Sequence, residues 1–217
     1  MADTKFSALT GVSSVAGTNE FGLNEAGTSK KASASQIATY VNGLVPEILL
    51  ANTTTQQTGF ATDQYLTGSM ITADAAGAWK AGGHYHCEFN MAKTAAGTAA
   101  PVIIVRMGTA GTTADAAVLT LTFAGAQTAV VDNAIIDVDL IIVSVGGGTS
   151  AVIFGAVIIK HKGNAVGLTN QGGNTFYTFF ANSAGFDSSA ATKLGLSFNG
   201  GASFAGTCDY VFTRLLQ

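Results

Sequence analysis

Charge is what this sequence has least of. Only 11% of its 217 residues are Asp, Glu, Lys or Arg, against roughly a quarter in an ordinary globular domain. The 13 acidic and 10 basic residues leave a net charge of -3, and no basic cluster exceeds Lys30-Lys31. The electrostatic footprint of phosphate-backbone binding is missing, so nucleic acid is excluded as an expected partner. Cysteine is nearly absent too: Cys87 and Cys208 stand 121 positions apart, neither a disulfide framework nor a metal-ligand spacing, and read as two free buried thiols of a reducing compartment. There are two prolines and one tryptophan, Trp79. The longest apolar run, 150–159, is about half of the ~20 residues that a membrane helix needs, so no membrane association is expected. No apolar stretch of signal-peptide length follows Met1, and without a secretory signal the sequon Asn52-Thr53-Thr54 carries no weight.

Against these absences stand a 47% hydrophobic content and a mean hydropathy of +0.36, which exclude disorder. Small residues dominate: 36 Ala, 27 Gly and 27 Thr make up about two fifths of the chain. With so few Lys and Glu, a lone monomer would be hard to keep in solution, which already points to assembly.

The chain changes texture near Asn42-Gly43-Leu44-Val45-Pro46. Residues 1–43 hold one convincing helix, expected over 34–41. Ser33 and Gln36 have capping-box spacing, Ile37, Tyr40 and Val41 share a face, and Asn42-Gly43 supplies the stop. No strand is expected in this segment. A helix of about eight residues does not persist undocked, because nucleation is costly. Residues 46–217 instead follow period two. In 83–91, Tyr85, Cys87, Phe89 and Met91 alternate with His84, His86, Glu88 and Asn90. Further strands are expected at 47–51, 65–71, 101–107, 118–123, 135–145, 151–161, 175–181, 193–198 and 207–215, separated by Gly, Thr, Asn and Ala-rich loops. No strand precedes a helical pattern long enough for a parallel crossover. The expected fold is therefore all-β: an antiparallel, jelly-roll-like β-sandwich head behind a short extended and helical segment. Along 135–145, Ile135, Ile141 and Val143 share a face with Asp137 and Asp139, which leaves an apolar stripe for a neighbouring subunit to cover.

Candidate chemistry is thin. His84, His86 and Glu88 on one strand face resemble the metal-binding strand of cupins, which keeps a cupin-like metalloenzyme as a third reading. Its glutamate spacing differs, however, and the only other histidine, His161, lies between Lys160 and Lys162. The expectation is no metal, no cofactor and polar, solvent-facing histidines. Asp137 and Asp139 have the residue types of a glycosidase pair, but carboxylates two apart on one strand point in parallel rather than across a cleft. They read as charged gatekeepers. There is no G-x-S-x-G nucleophile elbow, and the glycines at 108–111 and 146–148 read as hairpin turns rather than phosphate loops. No catalytic residue is assigned, and no enzyme is expected.

The first 41 residues resemble the amino-terminal segment of many tailed-bacteriophage virion proteins. The matching elements are Lys5-Phe6-Ser7-Ala8-Leu9, Gly17-Thr18-Asn19-Glu20, Gly27-Thr28-Ser29-Lys30-Lys31 and Ala34-Ser35-Gln36-Ile37. Ser29 is an insertion relative to the commonest form. The stretches 93–101 and 108–115 are similar to the β-sandwich heads that follow it. The resemblance implies a virion structural protein, assembled in the host bacterial cytoplasm, whose residues 1–43 form the attachment segment. Phe6, Leu9, Lys30, Lys31, Gln36, Ile37 and Tyr40 would make the virion contact. A homotrimer that decorates or cements the capsid, or forms a head fibre, is the first expectation; a tail fibre or baseplate component in host attachment is the second. The major capsid protein or tail and baseplate proteins are the implied partners, with a host surface glycan or receptor left open.

Overall fold

The alternation at 83–91 is one of the longest strands of the protein. In a computed structural model, described over residues 20–25, 28–37, 48–95, 97–123, 125–162, 167–169 and 176–217, it runs as β6 (His84–Ala95). Tyr85, Cys87, Phe89 and Met91 are fully buried, as their parity demands. The chain divides into two compact units, Met1–Glu47 and Ile48–Gln217.

In the first unit, β1 (Glu20–Glu25) and β2 (Thr28–Ser33) form an antiparallel hairpin, pairing from Glu20 with Ser33 to Glu25 with Thr28. This corrects the expectation of a strand-free segment. EFGLNE alternates only through Phe21 and Leu23 and TSKKAS has no apolar alternation, so backbone pairing rather than a hydrophobic pattern defines them. A single helical turn follows at 34–37, with the capping box in place: Gln36 N–H donates to Ser33 Oγ (3.2 Å), and Ser33 N–H to Gln36 Oε1 (2.8 Å). The remainder of the expected helix, Tyr40 included, lies outside the described residues.

The second unit is an antiparallel sandwich. Its larger sheet has the order β11 (Phe176–Asn182), β10 (Val152–His161), β9 (Asp132–Ser144), β6, β14 (Val211–Leu216), β3 (Ile48–Thr53), with β13 (Ala205–Thr207) beside β6. The smaller sheet runs β4 (Gln64–Tyr65), β12 (Lys193–Asn199), β7 (Val102–Gly108), β8 (Ala116–Thr122), with β5 (Ile71–Thr72) beside β12. The chain passes repeatedly from one sheet to the other, as a jelly-roll-like sandwich requires. Between the sheets Phe198 packs edge-on against Phe60 and Phe89, and Trp79 donates its indole N–H to the Ala191 carbonyl (2.9 Å).

Two expected strands are broken. The run at 65–71 is split into β4 and β5 by a turn at Gly68, whose φ of 90° suits glycine. Ser69 then stands in for backbone: Leu196 N–H donates to its Oγ (2.9 Å). The run at 207–215 is interrupted at Asp209 and Tyr210, whose amides both donate to Asn90 Oδ1 (2.7 and 3.1 Å).

The two sheets differ on their outward sides. The smaller is closed by buried Arg106, which donates to Ser197 Oγ (2.8 Å) and to the Asp115 carbonyl (2.7 Å) and pairs with Asp63. Asp115 in turn accepts the amides of Thr109, Ala110 and Gly111, which fixes the β7–β8 hairpin loop. On the outward side of the larger sheet, by contrast, Ile48, Leu50, Val143, Phe176 and Phe180 are exposed.

Candidate functional site

Strand register sets out that open side row by row. Leu50, Arg214, His86, Asp139, Ala156 and Phe180 stand level across six strands. The row on one flank is Ile48, Leu216, His84, Ile141, Phe154 and Asn182; on the other it is Asn52, Phe212, Glu88, Asp137, Ile158 and Thr178. His84, His86 and Glu88 on β6 with Asp137 and Asp139 on β9 thus make the middle polar, while the edge columns mix Ile48, Leu50 and Phe180 with Asn52, Thr178 and Asn182.

In the middle, the two histidines stand on the open side, partly exposed, and both approach one carboxylate. Asp139 Oδ1 lies 3.0 Å from His84 Nε2 and 2.9 Å from His86 Nδ1. Asp137, only 5% exposed, pairs with Lys160 at 2.6 Å, and this bond holds the Lys160 ammonium above its ordinary pKa. Both aspartates therefore pair with side chains on neighbouring strands, Asp139 with two imidazoles and Asp137 with the Lys160 ammonium, a consequence of β9 lying inside the sheet. Glu88 accepts the Tyr210 hydroxyl (3.0 Å), and burial together with that carboxylate pushes the phenol well above its usual range. Among the described residues no three His, Cys, Asp or Glu side chains are grouped to hold a metal ion.

At the edge columns, Ile48 is 62% exposed, Leu50 63%, Phe176 63% and Phe180 73%. The stripe read from the sequence lies on this face: Ile135 and Val143 are exposed and Ile141 is half-buried. A shallow groove of about 370 Å³ runs beside Ile48, Leu50, His84, Phe212, Arg214 and Leu216. Of the attachment residues, Lys31 on β2 is exposed, Gln36 is the capping residue and Ile37 is half-buried; Lys30 lies on β2, and Phe6, Leu9 and Tyr40 fall outside the described residues.

A second constellation escaped the sequence reading. His161, expected to face solvent between two lysines, is buried. Its Nδ1 lies 2.7 Å from Asp132 Oδ2, its Nε2 3.3 Å from Thr169 Oγ1, and Leu168 N–H donates to the same Asp132 oxygen (2.9 Å). This has the composition of a hydrolytic relay, yet the His161 and Asp132 side chains are fully buried and Thr169 is 2% exposed, so no substrate reaches the hydroxyl. It pins 167–169 onto the sandwich. Beside it Lys93, 2% exposed, donates to the carbonyls of Thr128 (2.5 Å) and Val130 (3.4 Å), its pKa lowered by burial against the pull of Asp132. Parity was the available signal: Lys93 continues the series Tyr85, Cys87, Phe89, Met91, and His161 continues Val157, Ile159.

No protein-family model matches the chain, and no curated protein sequence matches it. Among solved structures it is similar to the pilus subunit of Bacillus endospore appendages (14% identity, TM-score 0.27, covering 79% of this chain and 89% of that one). It is also similar to lectin II from Ulex europaeus (9%, TM-score 0.32, 77% and 98%). A third likeness, to the infectious bursal disease virus VP2 subviral particle (10%, TM-score 0.23), covers 93% of this chain and 48% of that one. What those proteins bind or build stays with them.

Proposed function

We propose that the chain is a non-enzymatic structural component of a tailed-phage virion, a homotrimer that decorates or cements the capsid or stands on it as a head fibre. The observation that carries the assembly reading is the open face of the larger sheet. Ten large apolar side chains are exposed among the described residues, and eight of them lie there: Ile48, Leu50, Ile135, Val143, Phe176, Phe180, Phe212 and Leu216; Val130 and Val131 precede β9. Apolar surface concentrated on one side of a charge-poor protein fits subunit contact. The phage assignment rests on the sequence resemblance between Lys5 and Ile37.

Locating the chain in a whole-virion cryo-EM map tests the reading. Density on the head supports decoration; density on the tail or baseplate favours the fibre alternative, and absence from purified particles sinks both. In solution, light scattering should give a trimer, and a stable monomer at micromolar concentration would exclude self-assembly. Val143→Asp should dissociate the oligomer if its stripe is covered, since burying an unpaired carboxylate costs several kcal/mol.

A further inference from the structure

Among the described residues, neither edge of the larger sheet is paired with a further strand. β3 and β11 end its strand order, each with a strand neighbour on one side only. Terminal strands in natural proteins are ordinarily protected by charge, proline or a bulge, because a bare edge is a template for another chain. ILLANT and FYTFFAN contain no charged residue and no proline, and their pairings to β14 and β10 run without a bulge. In a chain that spends its few charges pairwise in the middle of the same sheet, two uncharged edges of six and seven residues can serve as partners for one another.

Direction and face agree as well. The path from β11 to β3 contains six strands, each antiparallel to the next, so the two edge strands run in opposite directions. A second copy rotated about an axis along the strands presents its β11 antiparallel to β3 and keeps its outward side outward. Level joining then sets Leu50 beside Phe180, apolar against apolar, Asn52 beside Thr178, polar against polar, and Ile48 beside Asn182. At the junction the exposed Leu50 and Phe180 would cover one another.

We propose that β3 of one copy hydrogen-bonds in antiparallel fashion to β11 of a second copy, so that the larger sheet continues from subunit to subunit. This deepens the assembly reading and rests on it. The contact is head-to-tail, and it closes into a ring when the rotation allows and into a filament when it does not.

Disulfide capture in the full-length protein tests it. Facing residues of an antiparallel pair lie within disulfide reach, and the native thiols, Cys87 and Cys208, are buried and do not compete. Leu50→Cys combined with Phe180→Cys, or with Thr178→Cys for a register shifted by two, should oxidise to a covalent ladder ending at the subunit number found by light scattering. Mixing the two single variants should give the crosslinked heterodimer, while each alone stays uncrosslinked. A covalent dimer from Leu50→Cys alone means a two-fold β3–β3 contact and overturns the proposal. An intact oligomer in which neither pair crosslinks also overturns it but leaves assembly standing; a monomeric wild-type protein overturns both. Hydrogen exchange on the unmodified protein is the second measurement should the variants not fold. Amides of 48–53 and 176–182 should slow together by at least roughly tenfold on assembly, and unchanged rates in either strand count against the pairing.

Discussion

Two polar side chains on the inward side of the larger sheet, Lys93 and His161, both depend on the segment 128–132 for partners. Asp132→Ala would strand a buried imidazole and the Leu168 amide at once, with an expected loss of about 2–4 kcal/mol in a denaturant titration. Asp132→Asn keeps an acceptor and should cost less. The buried acids give a second expectation. Burial pushes the Cys87 thiol from 9.0 up to about 12 and the Tyr65 phenol from 10.0 to about 12, so the fold favours their neutral forms. A group of this kind contributes stability fully below its unfolded pKa, and that stability is lost as pH rises toward the folded value. Melting temperature should therefore hold from neutrality to about pH 9 and fall between about 9 and 12. Cys87→Ala should flatten that decline even though it lowers the starting value, and a slope identical to wild type would exclude the thiol as a cause.

Strands were legible from hydrophobic alternation or from a nearly continuous apolar run. β6 and β12 lie where alternation places them, β7, β9 and β10 where the apolar runs do, and the glycines at 146–148 do connect β9 to β10. The breaks were not legible, because each depends on a partner distant in sequence: Ser69 on Leu196, Asp209 and Tyr210 on Asn90. The same limit hid the site's pairing. Sequence places Ile135, Ile141, Val143, Asp137 and Asp139 on one face, but only strand order sets His84 and His86 against Asp139. Gly68 tests the broken strand directly. A Cβ there would stand 2.8 Å from the Thr53 nitrogen, at a backbone angle unfavourable to other residues. Gly68→Ala should cost on the order of 1–3 kcal/mol and lower the thermal midpoint, whereas a continuous 65–71 strand would have gained from the change.

At the scale of the whole molecule, the question is whether the two units divide their labour. The sandwich unit, Ile48–Gln217, contains every described strand of both large sheets and the buried core. The first unit contributes a hairpin whose two strands pair only with each other. Removing residues 1–47 should therefore leave β-type circular dichroism, a cooperative melt and the oligomer seen by light scattering. The truncated protein should nevertheless fail to enter particles when supplied to virions lacking the chain, if the attachment function implied for Lys30, Lys31, Gln36 and Ile37 resides there. Ile37→Asp places a charge at a half-buried position beside the capped turn and should impair incorporation on its own while leaving the melt of the sandwich unchanged. Unfolding of the truncated chain would make the first unit part of the core. Normal incorporation would move the attachment surface onto the sandwich, where the open face of the larger sheet would then have to serve both neighbour and virion.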